Sequence, residues 1–131
     1  MTRDGALTSA QQEIVLAALA PFRPVAVYFF GSAATGRERP DSDLDFAFLP
    51  SAPVEPLARF EASQVLADRL RREVDLVDLS TATTVMSKEV IRTGTLISDS
   101  APALRQDFEM RTLSDYARLN EERQPVLAIF R

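Results

Sequence analysis

Three short apolar runs set the frame of the chain: "VAVYFF" at residues 25 to 30, "LDFAFLP" at 44 to 50 and "VDLVDL" at 74 to 79. The first is continuous, β-branched and aromatic, and ends at Gly31; the second repeats the pattern and stops at Pro50. Such runs predict strands buried on both faces of a sheet, where solvent does not impose alternation. Between them the period changes. Residues 9 to 20 combine a Ser-x-x-Gln capping signal with apolar residues at helical spacing, closed by Pro21 and Pro24. Residues 54 to 72 predict an amphipathic helix with Leu57, Phe60, Val65, Leu66 and Leu70 inward, and Arg59, Glu61, Asp68, Arg69 and Arg71 mostly outward.

Beyond the third strand, residues 83 to 94 predict a helix ended by Gly94, and "TLISD" a short strand or an extended exit. From Pro102 a helix is expected on the apolar positions Leu104, Phe108, Leu113, Tyr116 and Leu119, interrupted at Pro125. The tail "VLAIFR" has two readings: it packs on its own core, or it covers a partner. With no repeat, no low-complexity stretch and no long linker, residues 1–131 are expected to form a single domain.

A strand, helix, strand succession joins parallel neighbours by a right-handed crossover, so strands two and three should start at the same sheet edge. That topology gathers acids. Asp43 and Asp45 are two residues apart on one face, separated by about 7 Å along a strand, and Asp75 opens the neighbouring strand. Three carboxylates at one edge raise each other's pKa unless a cation neutralises them.

Composition narrows the chemistry. There is no cysteine and no histidine, so thiolate nucleophiles, Cys/His zinc sites and imidazole acid-base catalysis cannot be built from these residues. A net charge of −4, with Lys88 the single lysine, argues against a general nucleic-acid-binding surface. No segment has the roughly 20 consecutive apolar residues of a membrane span, and residues 1 to 10 lack the pattern of a signal peptide. A cytoplasmic protein is expected.

Oxygen donors alone favour Mg²⁺ or Mn²⁺, and Mg²⁺ is usually held by one or two carboxylates together with substrate phosphates. The expected substrate is therefore a nucleoside triphosphate. Two such ions would stabilise both the entering and leaving oxygens of an in-line displacement at phosphorus. Gly31 lets backbone N–H groups approach phosphate, and Ser32 is placed to cap a short helix through "AATG". Simpler readings stand beside these: Ser42 and Asp43 make a good turn within Pro-Asp-Ser-Asp without any ligand, and Arg39 can be a solvated surface charge.

Gly31-Ser32, ten residues, then Asp43-x-Asp45, with Asp75 on a later strand, resembles the nucleotidyltransferase superfamily related to DNA polymerase beta. The chain as a whole resembles its minimal members, and "RPDSDLD", "VDLVDL" and "SKEVIRTGTLI" are similar to the member paired with a HEPN-domain toxin. The resemblance implies an α/β (α+β) fold, a small mixed sheet flanked by helices. It also implies an antitoxin that transfers AMP from ATP to a tyrosine of a partner HEPN ribonuclease, in a hetero-oligomer. Asp43, Asp45 and Asp75 would be the catalytic and metal-binding residues, Asp75 also orienting the accepting hydroxyl; Gly31, Ser32, Arg39 and Ser42 would bind nucleotide. Where relatives often carry basic residues this chain has Ala33 and Thr35, with Arg37 and Arg39 as substitutes. Two alternatives are an antitoxin acting by binding alone and a transferase acting on a small molecule.

Overall fold

The computed structural model describes residues 7–34 and 43–129. In chain order these form α1 (Ser9–Leu19), a 3-10 turn (Ala20–Phe22), β1 (Pro24–Phe30), a single helical turn α2 (Gly31–Ala34), β2 (Leu44–Pro50), α3 (Pro56–Leu70), β3 (Val74–Asp78), α4 (Thr84–Thr93), β4 (Thr95–Asp99) and α5 (Pro102–Ile129). The sheet runs β3-β2-β1-β4. β1 is antiparallel to both β2 and β4, whereas β2 and β3 are parallel, as the α3 crossover requires. The sheet is therefore mixed, and "TLISD" is an edge strand on the side of β1 away from β2.

The continuous apolar runs are explained by two covered faces. On one face Val27, Phe29, Leu44, Phe46, Phe48 and Leu76 pack with Val15 and Leu19 of α1 and Leu66 of α3. The Phe29 and Phe46 rings lie 5.3 Å apart across the β1–β2 pair. On the other, Ala26, Tyr28, Phe30 and Ala47 meet Val90 of α4 and Phe108 of α5. Those two helices pack on β1, and the β2–β3 half of that face is less enclosed, with Val77 half-buried and Asp75 exposed. A partly open shelf results.

Several expectations are corrected. The capping box of α1 starts one residue early: Thr8 Oγ1 accepts from the Gln11 N–H at 3.1 Å, and Gln11 Oε1 accepts from the Thr8 N–H at 2.9 Å. Thr-x-x-Gln does the same job as Ser-x-x-Gln, and this register is the one that buries Val15 and Leu19. In α3 the expected inward face is wrong by part of a turn. Leu57, Phe60 and Val65 are exposed, at 67%, 55% and 46%, while Ser63 and Leu66 are buried. Arg59, expected outside, donates from Nη1 to the Leu76 carbonyl of β3 at 2.9 Å. This strong donor anchors the helix to the strand and turns its apolar edge to solvent.

α5 shows the same effect. Leu104 and Leu113 are exposed, while Arg105, Phe108 and Glu109 are half-buried and Thr112 is buried. Arg105 pairs with Asp99 at the end of β4 at 2.9 Å and with Glu109 one turn on at 2.7 Å, which sets the rotation of the helix. Pro125 does not interrupt α5, whose backbone stays helical to Ile129. A proline removes one N–H from the ladder, and the bonds on either side carry the helix past it. No helix among the described residues is long and apolar enough to cross a membrane.

Candidate active site

β1 ends, and β2 and β3 begin, at one edge of the sheet. The parallel register pairs Leu44 with Val74 and Asp45 with Asp75, and the Leu44 N–H donates to the Glu73 carbonyl at 2.9 Å just outside the strands. Neighbouring strands are about 4.8 Å apart, so Asp45 and Asp75 are lateral neighbours on the less enclosed face. Asp43 precedes β2 by one residue and is exposed.

The electrostatics follow from this crowding. Partial burial first, then the charges of Asp75 and Asp43, push the Asp45 carboxyl up from 3.8 to about 6. Its two acidic neighbours thus act on it through space, as expected from the topology. Among the described residues no group of three or more His, Cys, Asp or Glu forms a ready-made metal cage. What is present is a register pair with a third acid nearby. That donor set fits Mg²⁺, an ion usually held by one or two carboxylates and completed by water and phosphate oxygens.

Gly31 closes the site from the β1 side. Its φ is +82°, a conformation that favours glycine, and a Cβ built on it would collide with Asp45 Oδ2. The glycine is therefore required twice, by its backbone angle and by its contact with a site carboxylate. Phe30, just before it, is the register partner of Asp45. α2 begins at Gly31 itself, so Ser32 lies inside the first turn and does not precede it as a cap. α2 packs against both β2 and the α4 helix.

The structure thus brings Gly31, Asp43, Asp45 and Asp75 to one edge. Arg39 and Ser42 lie outside the described residues, as do Thr35 and Arg37. Arg69 and Arg71 are exposed, as expected for the outer face of the helix, but sequence reasoning connects neither them nor Arg72 and Glu73 with the end of the sheet that holds Asp75. A signal was available: "RLRRE" runs directly into the strand that carries Asp75.

A small mixed sheet with paired acids at the strand edge, entered through a strand, glycine and helical turn, defines a nucleotidyltransferase of the polymerase beta kind. The family described as Polymerase beta, Nucleotidyltransferase matches residues 13–103, and the chain belongs to it. It is 36% identical over 104 residues to the protein adenylyltransferase MntA of Shewanella oneidensis, spanning 77% of this chain and 72% of MntA. Among solved structures it is similar to a chain of a toxin–antitoxin complex with AMP-PNP, at 31% identity and a TM-score of 0.81, covering 91% of this chain and 97% of that one. It is also similar to a chain of the complex between a tri-AMPylated Shewanella oneidensis HEPN toxin and its MNT antitoxin. There the identity is 28% and the TM-score 0.79, over 95% of this chain and 98% of that one.

Proposed function

We propose that this protein is an antitoxin that transfers AMP from ATP to a hydroxyl, that of a tyrosine, on a partner HEPN-domain toxin. The observation that carries the reading is the register pairing of Asp45 with Asp75 beside Asp43, with Gly31 packed on the Asp45 carboxylate. The likeness to MntA and to structures of antitoxin with AMPylated toxin supports the choice of nucleotide and partner.

In this reaction the acceptor oxygen bonds to the α-phosphorus, the bond from that phosphorus to the bridging oxygen breaks, and pyrophosphate leaves. Asp43 and Asp45, with Asp75, would hold Mg²⁺; when bound, the ion neutralises the carboxylates and the charge developing on phosphate oxygens. Gly31, lacking a side chain, lets the Asp45 carboxylate pack on its backbone where N–H groups would approach the triphosphate, with Ser32, Arg39 and Ser42 as further nucleotide contacts. Asp75 accepts the hydrogen bond of the incoming hydroxyl and takes up its proton as the oxygen attacks. The half-open face over β2 and β3 admits a protein acceptor without displacing a helix.

The test uses purified full-length chain, labelled ATP, Mg²⁺ and a co-expressed HEPN-domain partner. Label is expected on the partner, with pyrophosphate released and loss of transfer on chelation. An Asp43→Asn, Asp45→Asn double variant that still labels the partner would overturn the mechanism. Full neutralisation in cells by the same variant would show that binding alone suffices.

A further inference from the structure

The end of α3 and the turn into β3 carry three arginines, Arg69, Arg71 and Arg72, just before the strand that holds Asp75. Arg69 and Arg71 are exposed and Arg72 is half-buried; Arg72 precedes Asp75 by three residues, no more than about 10 Å of extended chain. The turn belongs to the site edge, because the Glu73 carbonyl within it accepts the Leu44 N–H that opens β2. Arg71 ends α3 at φ 56° and ψ 39°, a left-handed conformation that favours glycine, while its N–H donates to the Ala67 carbonyl. Ion pairs are formed by Arg92, Arg105 and Arg111, and Arg72 has a partner of its own, whereas Arg69 and Arg71 form no ion pair among the described residues.

Position decides what their charge meets. Gly31 lies at the end of β1, two strands or about 10 Å from β3, and the arginines lie at the β3 end of the row. Resting on the transferase reading above, the nucleotide occupies the Gly31 end and the acceptor comes in at Asp75, past the arginines. With a divalent ion offsetting Asp43, Asp45 and Asp75, the charge an entering segment meets is that of the arginines at the β3 end, which attracts carboxylates. A basic segment would be driven off by the turn. We infer that the Arg69–Arg72 turn is an acceptor-side docking rim, and that it selects a partner segment with carboxylates flanking the hydroxyl to be modified.

The experiment titrates ¹⁵N-labelled full-length chain with two tyrosine peptides, one flanked by glutamates and one by lysines. The glutamate peptide is expected to shift the amides of residues 69 to 75 and to bind about fivefold tighter than the lysine peptide at low salt, with the gap closing near 0.5 M salt. Arg71→Gly relieves the left-handed backbone, so it should raise Tm while bringing the two affinities within about twofold. Arg69→Ala should narrow the gap without a change in Tm. Arg23, the other left-handed arginine, at φ 47° on the opposite end of the sheet, supplies the control: Arg23→Gly should raise Tm and leave the preference intact. Equal binding of the two peptides overturns the inference. So does an acidic peptide that shifts residues 31 to 34 and competes with ATP, which would assign the arginines to triphosphate. Acid-selective binding without any AMP transfer to peptide or partner would sustain the rim and refute the transferase reading.

Discussion

The two ends of the sheet are built from the same strands and differ in almost everything chemical. At one, β1 closes on Gly31 and β2 and β3 open with Asp43, Asp45 and Asp75. At the other, the chain turns through Pro21–Arg23 and Ser51–Glu55, lining open clefts of about 470 and 410 Å³, the smaller also bounded by Ser80 and Thr81. Charge, and the packing of Gly31 on the Asp45 carboxylate, choose the first end. Partial burial there, then the charges of Asp75 and Asp43, push Asp45 up to about 6, and a glycine is held at a positive φ against it. Unfavourable local features kept at one place are the better marker of a site. The far end carries one backbone cost, Arg23 at φ 47°, but no crowded acids: Asp78 satisfies its carboxylate on the Ser80 N–H at 2.9 Å and hydroxyl at 2.6 Å.

The sharpest way to break this contrast is to remove the carboxylates. The Asp43→Asn, Asp45→Asn double variant should lose transfer by about a thousandfold or more, the scale of losing direct stabilisation of transition-state charge, measured as labelled AMP incorporation. Gly31→Ala comes next. Its Cβ would push the Asp45 carboxylate aside and strain the left-handed backbone, costing about 1–3 kcal/mol of stability. Transfer should fall about a hundredfold through the displaced carboxylate; a thermal melt and the same incorporation assay read both effects.

A smaller effect separates the ends by pH. The folded chain holds the Asp45 proton more tightly than the unfolded chain, whose carboxyl titrates near 3.8. Its contribution to stability is therefore complete below about pH 4 and is lost as pH rises through about 6. Asp45→Asn should raise Tm at pH 7 by a few degrees in the absence of metal and nucleotide, and by nothing at pH 4. Nucleotide binding with Mg²⁺ should weaken in the opposite direction, as pH falls below about 6 and Asp45 protonates. Smallest of all, Ser51→Phe, which fills both far clefts, should change stability by no more than about 0.5 kcal/mol and leave transfer unaltered; a loss of transfer would relocate the site.

Much of this arrangement is legible in the residues. The three strand runs, the glycine ending the first, and the acids at the entry of the other two depend on local pattern, and a parallel β2–β3 pair follows from the helix between them. Helix facing is less legible. Leu57, Phe60 and Val65 look like an inner stripe of α3, yet Arg59 is bound to the Leu76 carbonyl and Ser63 and Leu66 face the core. On α5 the Arg105 pairs with Asp99 and Glu109 set the rotation, leaving Leu104 and Leu113 in solvent. A hydrophobic stripe specifies a face only as strongly as its apolar area outweighs a few well-placed charged hydrogen bonds, and those partners are distant in sequence.

The chain by itself determined which residue types were available for chemistry, where the strands lie and which acids open them, because strand formation, glycine geometry and i, i+2 spacing are local properties. Tertiary structure alone decided that Asp45 would sit across from Asp75 and that Gly31 would press on that same carboxylate. Those facts depend on register between strands, across about 30 residues for Asp45 and Asp75 and about 14 for Gly31 and Asp45, and register is set by how the two faces of the sheet are filled, which no single segment encodes.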